Sequence, residues 1–560
     1  MNWNKFVTAF ATASTRRDVL IATATGALAG VATNINESRA APTGGASPTN
    51  MVLIQGENRV ERDQVVDGEL IVPPGARMVI DAGVTLTLRG DIVAPPTRIF
   101  WGDGKVDFTG SKVLAARPEW WGARANDASI DCRPALAACL DAHLAMMLGL
   151  GTYYIADTWT IDRPNRRIWG IGRTKDASGT RIALTRGGHG TVVRIGSERA
   201  PPTINDYLTG VDVRGIEFGR SAGAVADAED PAIGLSVRHV LDCRFEDLRA
   251  NEHAICYSIQ GAVRTYFRDC RAFRSLSQGS GKDSFVGFDL DGGNPSIATG
   301  ANASIYLIDC NATVGGPLAL SSAVGLRLLG AMSDTFVTRF ETTTLAVGIL
   351  IEGGGRLGRP PSRFSQIDIH IDTPILDQCS DAGIAIAGLG ATAMLEITSP
   401  YVAVSPAGTS AISLTDCGGS IRVAGGQLVG SLAKDAVGLR LERSAGTSVD
   451  GTCFLGFDQP IIAREASGFE LVVSIIADSV GHGPAVVLDH CQRGYIRPRL
   501  SGRSGSHAAC VAIDGSSSAL SIETIGVDPA ILVDREAAVV AAGHAALGPA
   551  TSLIFIPSRA

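Results

Sequence analysis

Short apolar strands recur along this chain at intervals of twenty to thirty residues. In the C-terminal half the series runs "GIAI" at Gly383, "AISL" at Ala411, "GLRL" at Gly438, "PIIA" at Pro460, "AVVL" at Ala485, "CVAI" at Cys510 and "AILV" at Ala530, in steps of 28, 27, 22, 25, 25 and 20 residues. Earlier members are "GLSV" at Gly234, "AICYSI" at Ala254, "VGFDL" at Val286, "VGLRL" at Val324 and "VGILI" at Val347. Between them lies a second strand type, as in "QIDIHI" and "GSIRVAGG". A repeat of this period marks a solenoid, a propeller or an array. The unit has almost no helical periodicity, which excludes ankyrin and tetratricopeptide repeats. The Leu/Asn consensus of leucine-rich repeats is missing, and a propeller needs more regular blades of about 40–50 residues. What remains is an all-β fold: a right-handed, single-stranded parallel β-helix whose coils bury their inward residues on one another.

The hydrophobic pattern changes toward the N-terminus. In "GVTLTLRG" Val84, Leu86 and Leu88 alternate with Thr85, Thr87 and Arg89, the period of a half-buried strand. Residues 41–116 are read as a small β-rich domain and 117–150 as a linker with a helix. Pro134 suits the first turn of that helix. Leu136, Cys139, Leu140, His143, Leu144 and Met147 follow at helical spacing. This helix is expected to cap the open end of a β-helix spanning 151–535, with 536–560 closing the other end.

Composition agrees with short strands and tight turns: there are 66 glycines, and aromatics make up only 6%. Residues 1–40 read as a leader. Arg16 and Arg17 precede an apolar, Ala/Gly-rich stretch, and Ser38-Arg39-Ala40 offers small residues at the cleavage positions. This resembles a twin-arginine export signal, which implies a periplasmic or extracellular protein. Removing four basic and two acidic residues with the leader takes the net charge from −7 to −9. An acidic chain argues against nucleic-acid binding. Beyond the leader no apolar run is long enough to span a membrane. The eleven cysteines include no CxxC pair, so no zinc site is expected. Several follow aspartate (Cys243, Cys270, Cys310, Cys417), a recurring context that suggests equivalent, buried positions in the repeats.

"PEWWGA", the helix around "PALAACLDA", "GTYYI" and "IWGIG" resemble the entry segment of the pectate-lyase-like β-helix superfamily, although "RANDASIDC" stands where that family has Gly-Asp-Gly. Between residues 240 and 430, "GANASIYLIDCNA", "GAMSDTFVTRFETT", "PILDQCSDAGIAI" and "ITSPYVAV" look similar to capsule-degrading tailspike lyases that act on heparosan-type glycosaminoglycans. The resemblance implies an acidic, uronate-containing polysaccharide as partner and β-elimination as chemistry. It further implies no cofactor beyond Ca²⁺ in some members, and a homotrimer by analogy with tailspikes. It carries no catalytic residue onto this chain.

β-Elimination needs a cation to neutralise the uronate carboxylate, a base for the α-proton and an acid for the leaving oxygen. The basic stretch from Arg264 to Lys282 supplies such groups. Alternation puts Arg264, Tyr266 and Arg268 on one outward strand face. Lys282 is the only lysine between Lys175 and Lys434. Arg264, Tyr266, Lys282 and His253 are therefore the candidate catalytic groups. Arg268, Arg271, Tyr257, Asp289 and Asp334 are candidates for substrate binding. A bland alternative makes the arginines surface ion-pair partners of Asp269, Asp247 and Glu246. A rival chemistry, glycoside hydrolysis, would use Asp289 and Asp291, two outward carboxylates roughly 6.5–7 Å apart at Cα. A third candidate is the outward Asp368-His370-Asp372 set, with Arg339 and Glu341 near the same groove. A polysaccharide-binding envelope protein without catalysis is the remaining class, and fold alone does not choose among them.

Overall fold

The computed structural model describes residues 51–172, 178–185, 190–221, 231–275, 285–292, 302–315, 322–353, 367–430, 436–457, 459–477, 484–502, 511–513, 517, 520–524 and 552–555. Residues 1–40, read above as a leader, Lys282 and the expected "AILV" repeat at Ala530 lie outside them.

The chain is a parallel β-helix. From Ala145 onward every strand pairs in parallel with the equivalent strand of the next coil, in one continuous 38-stranded ladder. Each coil has three strands. Sheet A contains the apolar repeat read from the sequence: Phe285–Asp291, Ala323–Leu329, Val347–Glu352, Ala382–Ala387, Ser410–Thr415 and Val437–Glu442. Sheet B contains Asn302–Ile308, Met332–Thr338, Ile367–Asp372, Met394–Thr398 and Ser420–Ala424. Sheet C contains Arg271–Ser275, Asn311–Gly315, Glu341–Thr343, Ile375–Cys379 and Tyr401–Val404. One strand, Ile255–Arg268, runs through both sheet A and sheet B.

The N-terminal segment is itself a short solenoid. Residues 51–107 wind three coils of three strands, stacked as three 3-stranded parallel sheets. Helix α1 (Arg133–Ala142) follows them. It therefore does not cap an open end, as the sequence pattern suggested. Strands lie on both sides, and one apolar core runs from Ile54 to Ile522. The helix is also shorter than its pattern. His143 is extended, with φ −138°, and Leu144 is 58% exposed. Met147 belongs to the strand Ala145–Met147. The chain leaves the helix at His143, whose ring is held between two carbonyls: Nδ1 lies 2.7 Å from that of Ala145 and Nε2 2.9 Å from that of Val113. Among the described residues no helix is long and apolar enough to cross a membrane.

The coil turns sharply where one residue takes the left-handed conformation. At the corner between sheets B and C this residue is Asp247, Asp269, Asp309, Arg339, Thr373, Ser399 and then Gly425 in successive coils, with φ between +48° and +66°. Asp is among the few non-glycine residues that accept this region readily. Each corner amide donates to the next coil, as Asp269 N–H does to the Ile308 carbonyl at 2.9 Å. The cysteine after such an aspartate turns inward. Cys270 and Cys310 do so at this corner, and Cys243 and Cys417 repeat the geometry between sheets A and B. Their thiols lie 3.2–3.6 Å from the carbonyl two residues before them. All ten described cysteines are free, and burial raises their thiol pKa values wherever a shift is resolved.

Stacked corner residues also explain the first candidate. Arg264 is left-handed, with φ +46°, and lies above left-handed Asp242 of the preceding coil. Its Nε and Nη2 hold both carboxylate oxygens, at 2.7 and 2.8 Å. Arg339 on Asp309 and Arg443 on Asp416 repeat this clamp. The hydrogen bond from its arginine holds each of these carboxyls below the usual carboxylate range. Arg264 is thus part of the solenoid's corner hardware. Arg264→Ala should lower the melting temperature slightly, and Arg264→Gly less, because glycine accepts the left-handed corner. Both should leave function intact. A loss of function in the glycine variant would return Arg264 to the site.

Candidate functional site

Three residues before each corner of sheets B and C, the chain points a side chain out of sheet B. Successive coils place Arg244, Tyr266, Tyr306, Phe336, His370, Glu396 and Arg422 there, in direct register. This row runs across seven coils. Its four rings stack nearly parallel. Tyr266–Tyr306 centroids are 4.4 Å apart at 6°, Tyr306–Phe336 5.2 Å at 9°, and Phe336–His370 5.1 Å at 8°. The spacing follows that of strands in a sheet, about 4.8 Å. Ring faces are spent on one another, so the row offers its edges and hydroxyls outward. Partial burial raises the Tyr306 phenol, and Tyr266 and Asp334 add to the shift. Tyr266 is 38% exposed.

The aromatic stack ends in a charged cluster. His370 Nε2 lies 3.1 Å from Asp368 Oδ1, and its Nδ1 lies 3.5 Å from Glu396 Oε2. Arg422 Nη1 reaches Glu396 Oε1 at 3.1 Å. These groups are partly exposed. Asp334 occupies a left-handed position, with φ +50°, in the column of Arg264 and Ser304, one coil before Asp368. Asp372 accepts from Thr398 Oγ1 at 2.6 Å. Two carboxylates, Asp368 and Glu396, therefore flank the His370 end of the ring stack, while the charge of Asp334 is felt at Tyr306. Among the described residues no group of three or more His, Cys, Asp or Glu side chains is arranged to hold a metal ion.

The structure brings Tyr266, Arg268 and Asp334 to this face and sends other candidates elsewhere. His253 is fully buried. Arg220 Nε donates to its Nδ1 at 3.1 Å, and its Nε2–H donates to the Phe218 carbonyl. Burial, then the charge of Arg220, lowers its pKa to about 3. A sealed, neutral imidazole with both nitrogens engaged has no route to a surface substrate. Tyr257 is also a core residue. It stacks on Phe288 at 4.5 Å, and its hydroxyl donates to the Arg271 carbonyl. Its nearness to His253 in the sequence does not bring it to the surface, because the strand is buried on both sides from Ile255 to Ile259. Arg271 lies on sheet C, 3.9 Å from Asp269, and Arg274 is buried. Asp289 does belong to the outward side of sheet A, yet it is 1% exposed and is gripped by Arg327 Nε at 2.8 Å. It is not an open carboxylate paired with Asp291. Lys282 falls outside the described residues.

Tyr306, Phe336, Glu396 and Arg422 went unmarked in the sequence. Their signal was present. "YFRDC" and "YLIDC" place Tyr266 and Tyr306 at the same offset from an aspartate–cysteine corner, and "FVTR" and "HIDT" continue that offset.

No protein-family model matches the chain, and no curated protein matches it. Solved structures do. The tailspike protein of E. coli bacteriophage HK620 in complex with pentasaccharide is similar over 80% of this chain and 77% of that one, with a TM-score of 0.53 and 12% identity. A variant of the same tailspike, also with pentasaccharide, matches with a TM-score of 0.54 at 12% identity, over 80% of this chain and 79% of that one. The likeness is one of fold. For tailspike protein 3 of bacteriophage CBA120 the TM-score is 0.45 at 12% identity, over 79% of this chain, and the chain spans only 60% of that protein's length.

Proposed function

We propose that this chain binds a polysaccharide along the outward row of sheet B and cleaves it by glycoside hydrolysis at the Asp368-His370-Glu396 cluster. The observation that carries the proposal is the row itself: seven registered side chains along one line, an arginine, four stacked rings, a glutamate and a second arginine. A repeating ligand suits a repeating surface. Phenol edges supply hydroxyl groups and apolar ring hydrogens to a sugar chain, and carboxylates supply acid and base. Asp368 and Glu396 flank one imidazole from opposite sides, which brings two carboxyls to the same outward face, the pair of groups that acid/base hydrolysis of a glycoside needs. One carboxyl would protonate the leaving glycosidic oxygen while the other takes a proton from the attacking water. The HK620 tailspike structures similar in fold to this chain are complexes with pentasaccharide, which supports the reading of an oligosaccharide ligand.

A second reading, β-elimination on an acidic polysaccharide, is favoured by the Tyr266–Tyr306 phenol pair with Arg268 two residues along the same face. It ranks second because Arg264, Arg339 and Arg422 are already engaged by carboxylates. One experiment separates the two. The protein is incubated with neutral and uronate-containing polysaccharides, and new reducing ends and ultraviolet absorbance are followed together. Hydrolysis gives reducing ends alone, whereas elimination adds the absorbance of an unsaturated uronate. Absence of both, with binding retained, leaves a binding protein.

Binding along the row has its own test. Tyr306→Ala removes one outward hydroxyl and ring edge from the row and should weaken polysaccharide binding about tenfold, the loss of one hydrogen bond contributing about 0.5–1.5 kcal/mol. Affinity electrophoresis reads this directly. Unchanged mobility would remove the row from the binding surface.

A further inference from the structure

A second concavity lies far along the chain from the row, where the N-terminal coils meet helix α1. It encloses about 1060 Å³ and shares no residue with the row. Its walls include Trp101, Trp121, Arg98, Arg117, Arg124 and Glu119. The sequence marked "PEWWGA" only as a fold signature, and the proposed function uses none of these residues.

Glu119 is the informative group. It is only 8% exposed, and it is fixed at one oxygen, where Oε1 accepts a short hydrogen bond from the Tyr153 hydroxyl. Tyr153 is held in turn by the Gly149 amide, which donates to its oxygen at 2.8 Å. Burial, then Glu119, pushes the Tyr153 phenol well up, so the phenol stays a donor to the carboxyl. The second carboxyl oxygen, Oε2, is buried without a hydrogen-bond partner. A buried acceptor left empty costs about 1–3 kcal/mol, so an unfilled Oε2 in the wall of a cavity calls for a donor from a ligand.

The charges around it point the other way. Arg98, Arg117 and Arg124 line the same space, and among the described residues none of the three is ion-paired. The Arg98 guanidinium lies over the Trp101 ring, 4.0 Å from its centroid, and its Nε donates to the Phe100 carbonyl. The other wall carboxylate, Asp131, is engaged elsewhere: it accepts from the Arg133 and Ala156 amides and faces the Arg133 guanidinium at 3.8 Å. The cavity thus combines surplus cationic charge, one buried acceptor and two indoles. A ligand that satisfies all three has a carboxylate, a hydroxyl donor and an apolar ring edge.

From this combination we infer a binding pocket for a single acidic pyranose, its carboxylate toward the arginines and one ring hydroxyl donating to Glu119 Oε2. The pocket binds without catalysis and would anchor a sugar acid apart from the proposed cleavage face.

Intrinsic tryptophan fluorescence tests this on the full chain, because three of its six tryptophans (Trp101, Trp120 and Trp121) lie in or beside the pocket. Sodium glucuronate and sodium galacturonate are titrated, with glucose as the uncharged control. At least one uronate should give a saturable change, with glucose at least tenfold weaker. Arg124→Ala, an exposed residue whose loss does not threaten the fold, should weaken uronate binding at least tenfold. Glu119→Gln keeps a partner for Tyr153 and should also weaken it, with an unchanged melting temperature. Tyr306→Ala, in the row, should leave the titration unaltered, which separates this pocket from the proposed function. Two results overturn the inference: no saturable change with either uronate, or equal affinity in Arg124→Ala and Glu119→Gln.

Discussion

Glu396→Gln and Asp368→Asn should each lower polysaccharide cleavage by about 10²–10⁴-fold, the usual contribution of a positioned acid or base. Both substitutions keep side-chain volume and the capacity to accept a hydrogen bond. They remove the ability to exchange a proton at the pH of the assay. Binding should be largely retained, because the stacked rings of Tyr266, Tyr306 and Phe336 are untouched, so the loss should appear in kcat rather than KM. Asp372→Asn is the matched control. Asp372 lies on the same strand as Asp368 and accepts from Thr398, outside the contacts of His370, so its loss should be mild. His370→Asn should fall between them: it removes the group that spaces the two carboxyls while leaving both present. Full activity in Glu396→Gln or in Asp368→Asn would sink the hydrolytic proposal. Loss of the ultraviolet product in a Tyr266→Phe variant would favour elimination instead.

The fold was legible because its signal is repeated. Each coil carries the same apolar strand, and errors at one coil are corrected by its neighbours, so step lengths of 20–28 residues sufficed for a parallel β-helix. Helix α1 was read too long because Leu144 and Met147 keep helical spacing, while the His143 ring meets the Val113 carbonyl, a contact from outside the helix that local spacing does not reveal. The site was only partly legible. Tyr266 reaches the face because a half-exposed strand alternates, and Asp334 reaches it at a left-handed residue that breaks the alternation of its strand. Tyr257 and His253 did not, because strands covered on both sides lose that alternation and polar residues there serve the core. Arg264 misled by its charge: a guanidinium at a left-handed corner is tied to the aspartate of the coil before it. The row became visible only when coils were aligned on their left-handed corners. That alignment needs to know which residue adopts positive φ, and Asp, Arg, Thr, Ser and Gly all do so at the same corner.

The largest effect on stability should come from His253. In the folded chain its pKa is lowered to about 3, first by burial and then by the charge of Arg220, with Arg181 and Arg274 adding to the repulsion. An unfolded histidine titrates near 6.5. Between these two values the unfolded chain binds a proton at this position and the folded chain does not. Stability therefore rises with pH through the window from about 3 to about 6.5 and is fully present above it. The slope from this residue alone is about 1.4 kcal/mol per pH unit, on the order of 5 kcal/mol across the window. The corner aspartates Asp242, Asp309 and Asp416 act in the same direction but lower down. Their folded pKa values lie below 3.8, so the stability they contribute is present above that value and is lost only as pH falls through their folded values. His253→Gln separates the two effects. Its amide oxygen can accept from Arg220 and its amide nitrogen can donate to Phe218, as the imidazole does, without a titratable group. Urea unfolding of wild type and variant at pH 7 and pH 4.5 should show the wild type losing about 2–3 kcal/mol more than the variant, roughly two pH units at the slope above. Parallel losses would mean that position 253 is hydrated or charged in the folded state, and would reopen it to proton transfer.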